Sequence, residues 1–219
     1  MSTMRNIALI GGTGNLGWAL ARRWALAGHS VFIGSRAADK AAEAAARIEV
    51  PAGSPRPVGL SNEEAAVRAD IVVVTVPFSS QQATLSALAP SLGERLVVDT
   101  TVPLVPPKVA RVQMPASGSA ALSARKSLGE GIRLVSAFHN VAAHRLATDE
   151  KIDCDILVFG DSVEDRDIVV ALAGDAGLRG IHGGPLANSA AAEAFTSVLI
   201  GINKRYKVDG AGIRITGIG

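Results

Sequence analysis

The chain is poor in the residues on which many functions depend. Its 219 residues include one cysteine, one tyrosine, three methionines and four histidines. The lone Cys154 excludes an intrachain disulfide and a cysteine-cluster zinc site, and it reads as a buried apolar filler. His29, His139, His144 and His182 form no H-x-x-x-H pair and no cluster with carboxylates, so no metal is expected. Aromatic residues make up 4% of the chain, which excludes nucleic-acid binding by base stacking. Lys+Arg total 22 against 20 Asp+Glu, so no basic face for nucleic acid is expected. No apolar run approaches the ~20 residues of a membrane span. The first apolar stretch, 7–10, runs straight into glycines and is no secretory signal. The expectation is a soluble cytoplasmic protein.

What is present is aliphatic and alternating. Hydrophobic residues reach 48% and charged residues 19%, a globular composition with an alanine-rich core. The length fits one domain with an elaboration, or two small ones. Residues 6–10, 30–34, 58–60, 70–77 and 95–100 read as buried strands. Residues 15–27 and 38–48 read as helices between them, the first with Leu16, Leu20 and Trp24 on one face. Capping boxes at Ser61–Glu64 and Ser79–Gln82 open two further helices. This order predicts an α/β fold: a Rossmann-type, doubly wound, mainly parallel sheet with a smaller C-terminal α/β elaboration. Prolines 103, 106, 107 and 115 break the rhythm. After residue 128 the elements resume as strands at 132–138, 156–160 and 178–182 and helices at 163–173 and 188–202. The expected division is 1–138 for cofactor binding and 139–219 for a second pocket and a possible dimer interface.

The first strand leads into Gly11-Gly12-Thr13-Gly14-Asn15-Leu16-Gly17. Gly12, Gly14 and Gly17 satisfy G-x-G-x-x-G between a strand and a helix, the setting in which that motif binds a dinucleotide. Gly12 permits the tight turn, Gly14 lets backbone approach a pyrophosphate, and Gly17 lets the helix pack close to the sheet. The helix N-terminus then favours an anion. Gly11, Gly14 and Gly17 also satisfy the short-chain reductase spacing. The catalytic Tyr-x-x-x-Lys of those enzymes is absent, because the only tyrosine is Tyr206 and position 210 is glycine.

An NAD site places an acid at the end of the second strand. Here the chain reads Gly34-Ser35-Arg36, with Lys40 one turn on and Asp39 too late for the strand end. A serine hydroxyl and a guanidinium suit a 2′-phosphate, so NADP is expected over NAD. The carboxylate pairs Asp153/Asp155 and Asp165/Asp167 read as caps and helix-dipole partners near turns and helix starts. No nucleophile elbow occurs. Few proton donors are thus available, which suits hydride transfer between two redox cofactors, since those carry the hard chemistry themselves. A reductase of another acceptor (flavin, imine, small carbonyl or ferric iron) and a non-catalytic NADPH sensor remain alternatives.

The chain resembles the NADPH-dependent reductases of the deazaflavin coenzyme F420. The resemblance rests on the glycine-rich run from Ile10 to Gly17, Gly34-Ser35-Arg36, residues 70–77, 97–105 and 136–139, and Gly184-Pro185-Leu186 with Asn188-Ser189. It implies that Gly12, Thr13, Gly14, Asn15 and Leu16 hold the pyrophosphate, and that Ser35, Arg36 and Lys40 hold the 2′-phosphate. Val76, Pro77 and Phe78 would line the path to the nicotinamide, with Val102 and Ala143 completing its pocket. It further implies F420 as co-substrate, lying between residues 102–105, 139–141 and 186–189. His139 would orient or polarise it, the alternative being a strand-end histidine satisfied by backbone. A homo-oligomer is also implied. The chain departs from the family at Ala37, where a second arginine is frequent, at Phe78, where tryptophan is common, and at Ala142, where proline is usual.

Overall fold

Parallel strands buried on both faces read as unbroken aliphatic runs, and such runs build the sheet here. The computed structural model describes residues 3–218. In chain order the elements are β1 (Asn6–Ile10), α1 (Asn15–Leu26), β2 (Ser30–Ser35), α2 (Ala38–Ala46), β3 (Val58–Ser61), α3 (Asn62–Arg68), β4 (Ile71–Val74), α4 (Phe78–Leu92), β5 (Leu96–Asp99), α5 (Ala120–Leu128), β6 (Leu134–Ser136), α6 (Ala143–Leu146), β7 (Asp155–Gly160), α7 (Val163–Asp175), β8 (Arg179–Gly184) and α8 (Ser189–Tyr206). The strands form one sheet in the order β3-β2-β1-β4-β5-β6-β7-β8. Neighbouring strands run parallel except β6 with β7. The order reverses between β1 and β4, and the carboxyl ends of strands at such a switch point open a crevice for ligands.

Side-chain alternation assigns the helices to two layers. Ile7 and Leu9 of β1 join a core built with Leu20 and Trp24 of α1, Ala41 of α2 and Leu172 of α7. Ala8 and Ile10 face the opposite core, built with Ala65 of α3, Leu85 and Leu88 of α4 and Ala124 of α5. The period of two along each strand therefore decides which helices it meets. Trp24 is the largest fully buried side chain in the first core. Its indole N–H donates to the Leu172 carbonyl at 2.8 Å, and its ring meets Phe138 edge-on at 5.8 Å. The indole thus ties α1 to α7 and to the segment after β6 with its polar atom satisfied.

Several boundaries differ from the sequence expectation. The capping box at Ser61 is present, the Ser61 Oγ accepting from Glu64 N–H at 3.2 Å and Glu64 Oε2 accepting from Ser61 N–H at 3.1 Å. The one expected at Ser79 is not. α4 already opens at Phe78, preceded by Pro77 at φ −57°, and runs through Pro90 to Leu92. A proline ring presets helical φ without needing an N–H, so the helix starts before the serines. β4 ends at Val74, not Pro77, which leaves Thr75, Val76 and Pro77 as a link over the sheet edge.

Asp155 is also not the turn or cap residue expected. It is the buried first residue of β7, and both its oxygens accept from Arg179, each at 2.7 Å. That paired guanidinium holds its carboxyl below the usual carboxylate range. The same carboxylate accepts from Ile215 N–H at 2.6 Å, and Arg179 donates to the carbonyls of Ile215 and Ile218, so the last residues are strapped along the start of β7.

β3 can accept α2 only because Gly59 has no side chain. A Cβ there would stand 2.1 Å from Ala42 N and 2.2 Å from the Ala41 carbonyl carbon. Backbone cannot yield as a side chain can. Gly59→Ala is expected to destabilise the fold by at least about 3 kcal/mol, the upper range for overpacking. Chemical denaturation checks this, and an unchanged midpoint would contradict the packing of α2 on β3.

Candidate active site

The glycine-rich loop leaves β1 at Gly11, whose φ of +71° favours glycine. The left-handed turn thus falls one residue earlier than the expected Gly12. Gly12 N–H donates to the Leu9 and Gly34 carbonyls, at 3.1 and 3.0 Å, closing the loop over the β1 and β2 ends. Gly17 brings α1 onto the sheet: a Cβ would lie 2.5 Å from Thr75 Oγ1 and 2.8 Å from Gly12 Cα. Gly14 differs, since a Cβ would meet only the Gly11 carbonyl at 3.4 Å. It is exposed and stands as the N-cap of α1, which has no side-chain cap and no acid in its first turn. The helix therefore presents its N-terminal amides without an internal anion. Thr13 and Asn15 are exposed beside it, and Leu16 is half-buried.

Asn62, an interior position of the Ser61 capping box with no sequence signal of its own, supports this loop. Its buried side chain accepts from Gly11 N–H at 3.3 Å. At the end of β2, Ser35 is buried and its Oγ accepts from Ala37 N–H at 3.2 Å, which leaves the hydroxyl hydrogen for another acceptor. Arg36 and Lys40 are exposed, and among the described residues neither has an ion-pair partner. On the other side of the loop Val76 meets Gly11, with Pro77 exposed and Phe78 half-buried next to it. Ala143, at the start of α6, faces Thr13, Gly14 and Asn15 across a crevice of about 310 Å³. Val102 is half-buried just beyond the β5 end.

His139 lies elsewhere. It is 5% exposed, its Nε2 pairs with Ser136 Oγ at 2.8 Å, and its Nδ1 has no partner among the described residues. Burial lowers its pKa to about 3, so the imidazole is neutral at ordinary pH and cannot serve as a cationic acid. Its ring stands 6.2 Å from Phe159. Phe159, with Leu157, Ala191 and Phe195, walls a second cavity of about 560 Å³ between β7, β8 and α8. The segment after His139 is pinned by α8: Thr196 Oγ1 donates to the His139 carbonyl at 3.0 Å, and Asn140 Nδ2 donates to the Ala192 carbonyl at 2.8 Å.

Two carboxylates are buried between these regions. Asp99, at the end of β5, accepts from Thr101 Oγ1 at 2.6 Å and Gln81 Nε2 at 2.7 Å. Burial raises its pKa to about 7, and Glu193 adds to the rise. Glu193, on α8, accepts from the N–H groups of Ala120 and Ala121 at 2.6 and 3.1 Å. Nothing in the spacing of single acids announced either one.

Parallel strands, a switch-point crevice and an uncapped glycine-rich helix start define a Rossmann-type dinucleotide-binding protein. The family described as NADP oxidoreductase, coenzyme F420-dependent, matches residues 6–103. A protein named F420-dependent NADP reductase from Methanothermobacter thermautotrophicus is 40% identical over 97% of this chain and 95% of its own length. Another of that name, from Methanocaldococcus jannaschii, is 38% identical over 97% and 98%. A solved structure from Arthrobacter sp. FB24 has a TM-score of 0.79 at 23% identity, covering 97% of this chain and 99% of that one. The chain belongs to the F420-dependent NADP oxidoreductase family.

Asp99 and His139 act in opposite directions on stability. Asp99 has a folded pKa near 7 against 3.8 unfolded, so its contribution falls as pH rises from about 4 to about 7. His139 has a folded pKa near 3 against 6.5 unfolded, so its contribution falls as pH drops from about 6.5 to about 3. Each slope is limited to about 1.4 kcal/mol per pH unit. Relative to wild type, Asp99→Asn should therefore gain stability on going from pH 4.5 to 7, whatever its constant offset. His139→Gln should gain on going from pH 6.5 to 4.5. Urea titrations across that range check both, and curves parallel to wild type would contradict the two burial environments.

Proposed function

We propose that this chain transfers a hydride directly between NADP(H) and coenzyme F420. The reading is carried by the exposed, uncapped start of α1 at Gly14, in a loop whose Gly12 N–H is bonded to the Gly34 carbonyl, the residue before Ser35 and Arg36. The near-full-length relatives named F420-dependent NADP reductase support the same pair of substrates. The residues fit a phosphorylated dinucleotide. Gly12, Thr13, Gly14, Asn15 and Leu16 would meet the diphosphate with backbone amides. The Ser35 hydroxyl, which accepts from Ala37 N–H, would donate to the 2′-phosphate, and the guanidinium of Arg36 and the ammonium of Lys40 would pair with it.

Val76, Pro77, Phe78, Val102 and Ala143 would border the nicotinamide and keep water from it. Bound together, the dinucleotide supplies the hydride and the deazaflavin ring receives it, or the reverse. The protein then has only to hold two carbons in line and dry. His139, neutral and paired with Ser136, would orient or polarise the second ring without moving a proton to it. We assign the cofactor half to residues 1–138 and the second pocket to 139–219. We place the protein in the cytoplasm as a homo-oligomer, a state favoured by the exposed Phe195 and Val198 of α8.

A cuvette assay tests this. Purified protein with NADPH and oxidised F420 should bleach the deazaflavin's visible band, while NADH should do so far more slowly. No bleaching despite NADPH binding would remove F420 as the acceptor. Arg36→Ala should lower the NADPH-over-NADH preference about tenfold to a hundredfold, the worth of one charge-assisted contact; an unchanged ratio would place the 2′-phosphate elsewhere. His139→Ala should slow the transfer and leave the NADPH dissociation constant as it is.

A further inference from the structure

The wall of the second cavity and the strand ends of the cofactor crevice are joined by one buried polar chain. Glu193 is 1% exposed, and its carboxylate accepts from Ala120 N–H at 2.6 Å, Ala121 N–H at 3.1 Å and Ser189 Oγ at 3.0 Å. The first two donors are the opening amides of α5, which its own helix leaves unpaired. A carboxylate from another helix satisfies them and also meets the positive end of the α5 dipole. On the other side of that turn, Gln81 Nε2 donates to the Ala120 carbonyl at 3.0 Å and to Asp99 Oδ2 at 2.7 Å. Asp99 in turn holds Thr101, the residue before Val102. At the α8 end, the turn after Glu193 carries Thr196, which holds the His139 carbonyl. Each hydrogen bond in the chain joins buried or half-buried groups, so its geometry is not averaged by solvent.

We infer that Glu193 is a positioning residue for hydride transfer: it fixes α8, and with it His139 and the acceptor wall, at a set distance from the Val102 side of the cofactor crevice. This rests on the hydride-transfer reading above. A residue in that role changes the alignment of the two reacting carbons without touching either substrate, and transfer rates are steep in such alignment. It differs from a general structural role in what it spares. The diphosphate and 2′-phosphate sites lie on the glycine loop, α1 and the end of β2, to which the Glu193 carboxylate makes no hydrogen bond among the described residues, so NADPH affinity should not follow the rate.

The test is Glu193→Gln in the full chain. Its amide can accept from one α5 N–H but turns a donor toward the other. We expect kcat with NADPH and F420 to fall at least tenfold, the NADPH dissociation constant (from NADPH fluorescence) to stay within twofold, and amide exchange at Ala120 and Ala121 to quicken. The isotope effect with NADPH deuterated at nicotinamide C4 should increase as transfer becomes rate-limiting. Ser189→Ala, which removes one donor to the carboxylate and leaves both α5 amides bonded to it, should shift the same readouts by a smaller factor and serves if Glu193→Gln does not fold. Unchanged kcat in the folded variant overturns the inference, as does a weakening of NADPH binding in step with the rate. A wild type that binds NADPH but passes no hydride to F420 overturns the functional reading and this inference together. An active wild type with an equally active variant overturns this one alone.

Discussion

The approach of α1 to the sheet at Gly17 is the contact on which the rest of the site depends. A Cβ there would stand 2.5 Å from Thr75 Oγ1, and Thr75 is itself fixed, its hydroxyl and N–H both donating to the Ile10 carbonyl at 2.9 Å. Because the position is glycine, α1 can start directly above the ends of β1 and β4. That puts Gly14 and its uncapped amides over the switch point. If α1 stood farther out, the loop would still turn, but its amides would no longer converge on the place where the strand order opens a crevice. Asn62 makes the position durable from below, since its hydrogen bond to Gly11 ties the loop to the first turn of α3.

The Rossmann half was legible in the sequence because its signals are local. Unbroken apolar runs, a glycine-rich turn and a capping box each depend on neighbours a few residues apart, and β1, α1, β2 and the Ser61 cap stand where those signals put them. The Ser79 box misled because its pattern competes with Pro77, whose ring fixes the helix start first. β4 was read to Pro77 since its residues stay apolar; the strand stops at Val74 because the chain leaves the ladder to pass over Gly11. What was not legible is non-local. Asp99 and Glu193 are 94 residues apart and meet through α5, and no spacing rule reports such a pair.

His139 shows how burial redefines a residue that sequence can only nominate. A histidine at a strand end suggests proton traffic, yet at 5% exposure and with a pKa lowered to about 3 it carries no second ring proton to give at ordinary pH. What it offers is a fixed dipole, oriented by Ser136 through one nitrogen, with the other unclaimed by any described group. That suits a reaction in which a hydride moves and no proton need accompany it at the same atom. The lack of a catalytic acid–base motif in the sequence and the neutrality of this histidine point the same way.

The second cavity presents the opposite problem from the glycine loop. α8 is alanine-rich where it faces β7 and β8, with Ala190, Ala191 and Ala192 in succession. Small side chains allow a helix close to a sheet but give it little shape to lock a register, because dispersion contacts between methyl groups change little with a small slide. Direction must come from groups that bond at one geometry only. Glu193 to the α5 amides, Thr196 to the His139 carbonyl and Asn140 to the Ala192 carbonyl supply it. The apolar cavity is therefore lined mainly by small and aromatic side chains, while the helix that walls it is held by polar ties on its other sides. That division leaves Glu193 buried behind the cavity and no charged side chain among the residues that line it.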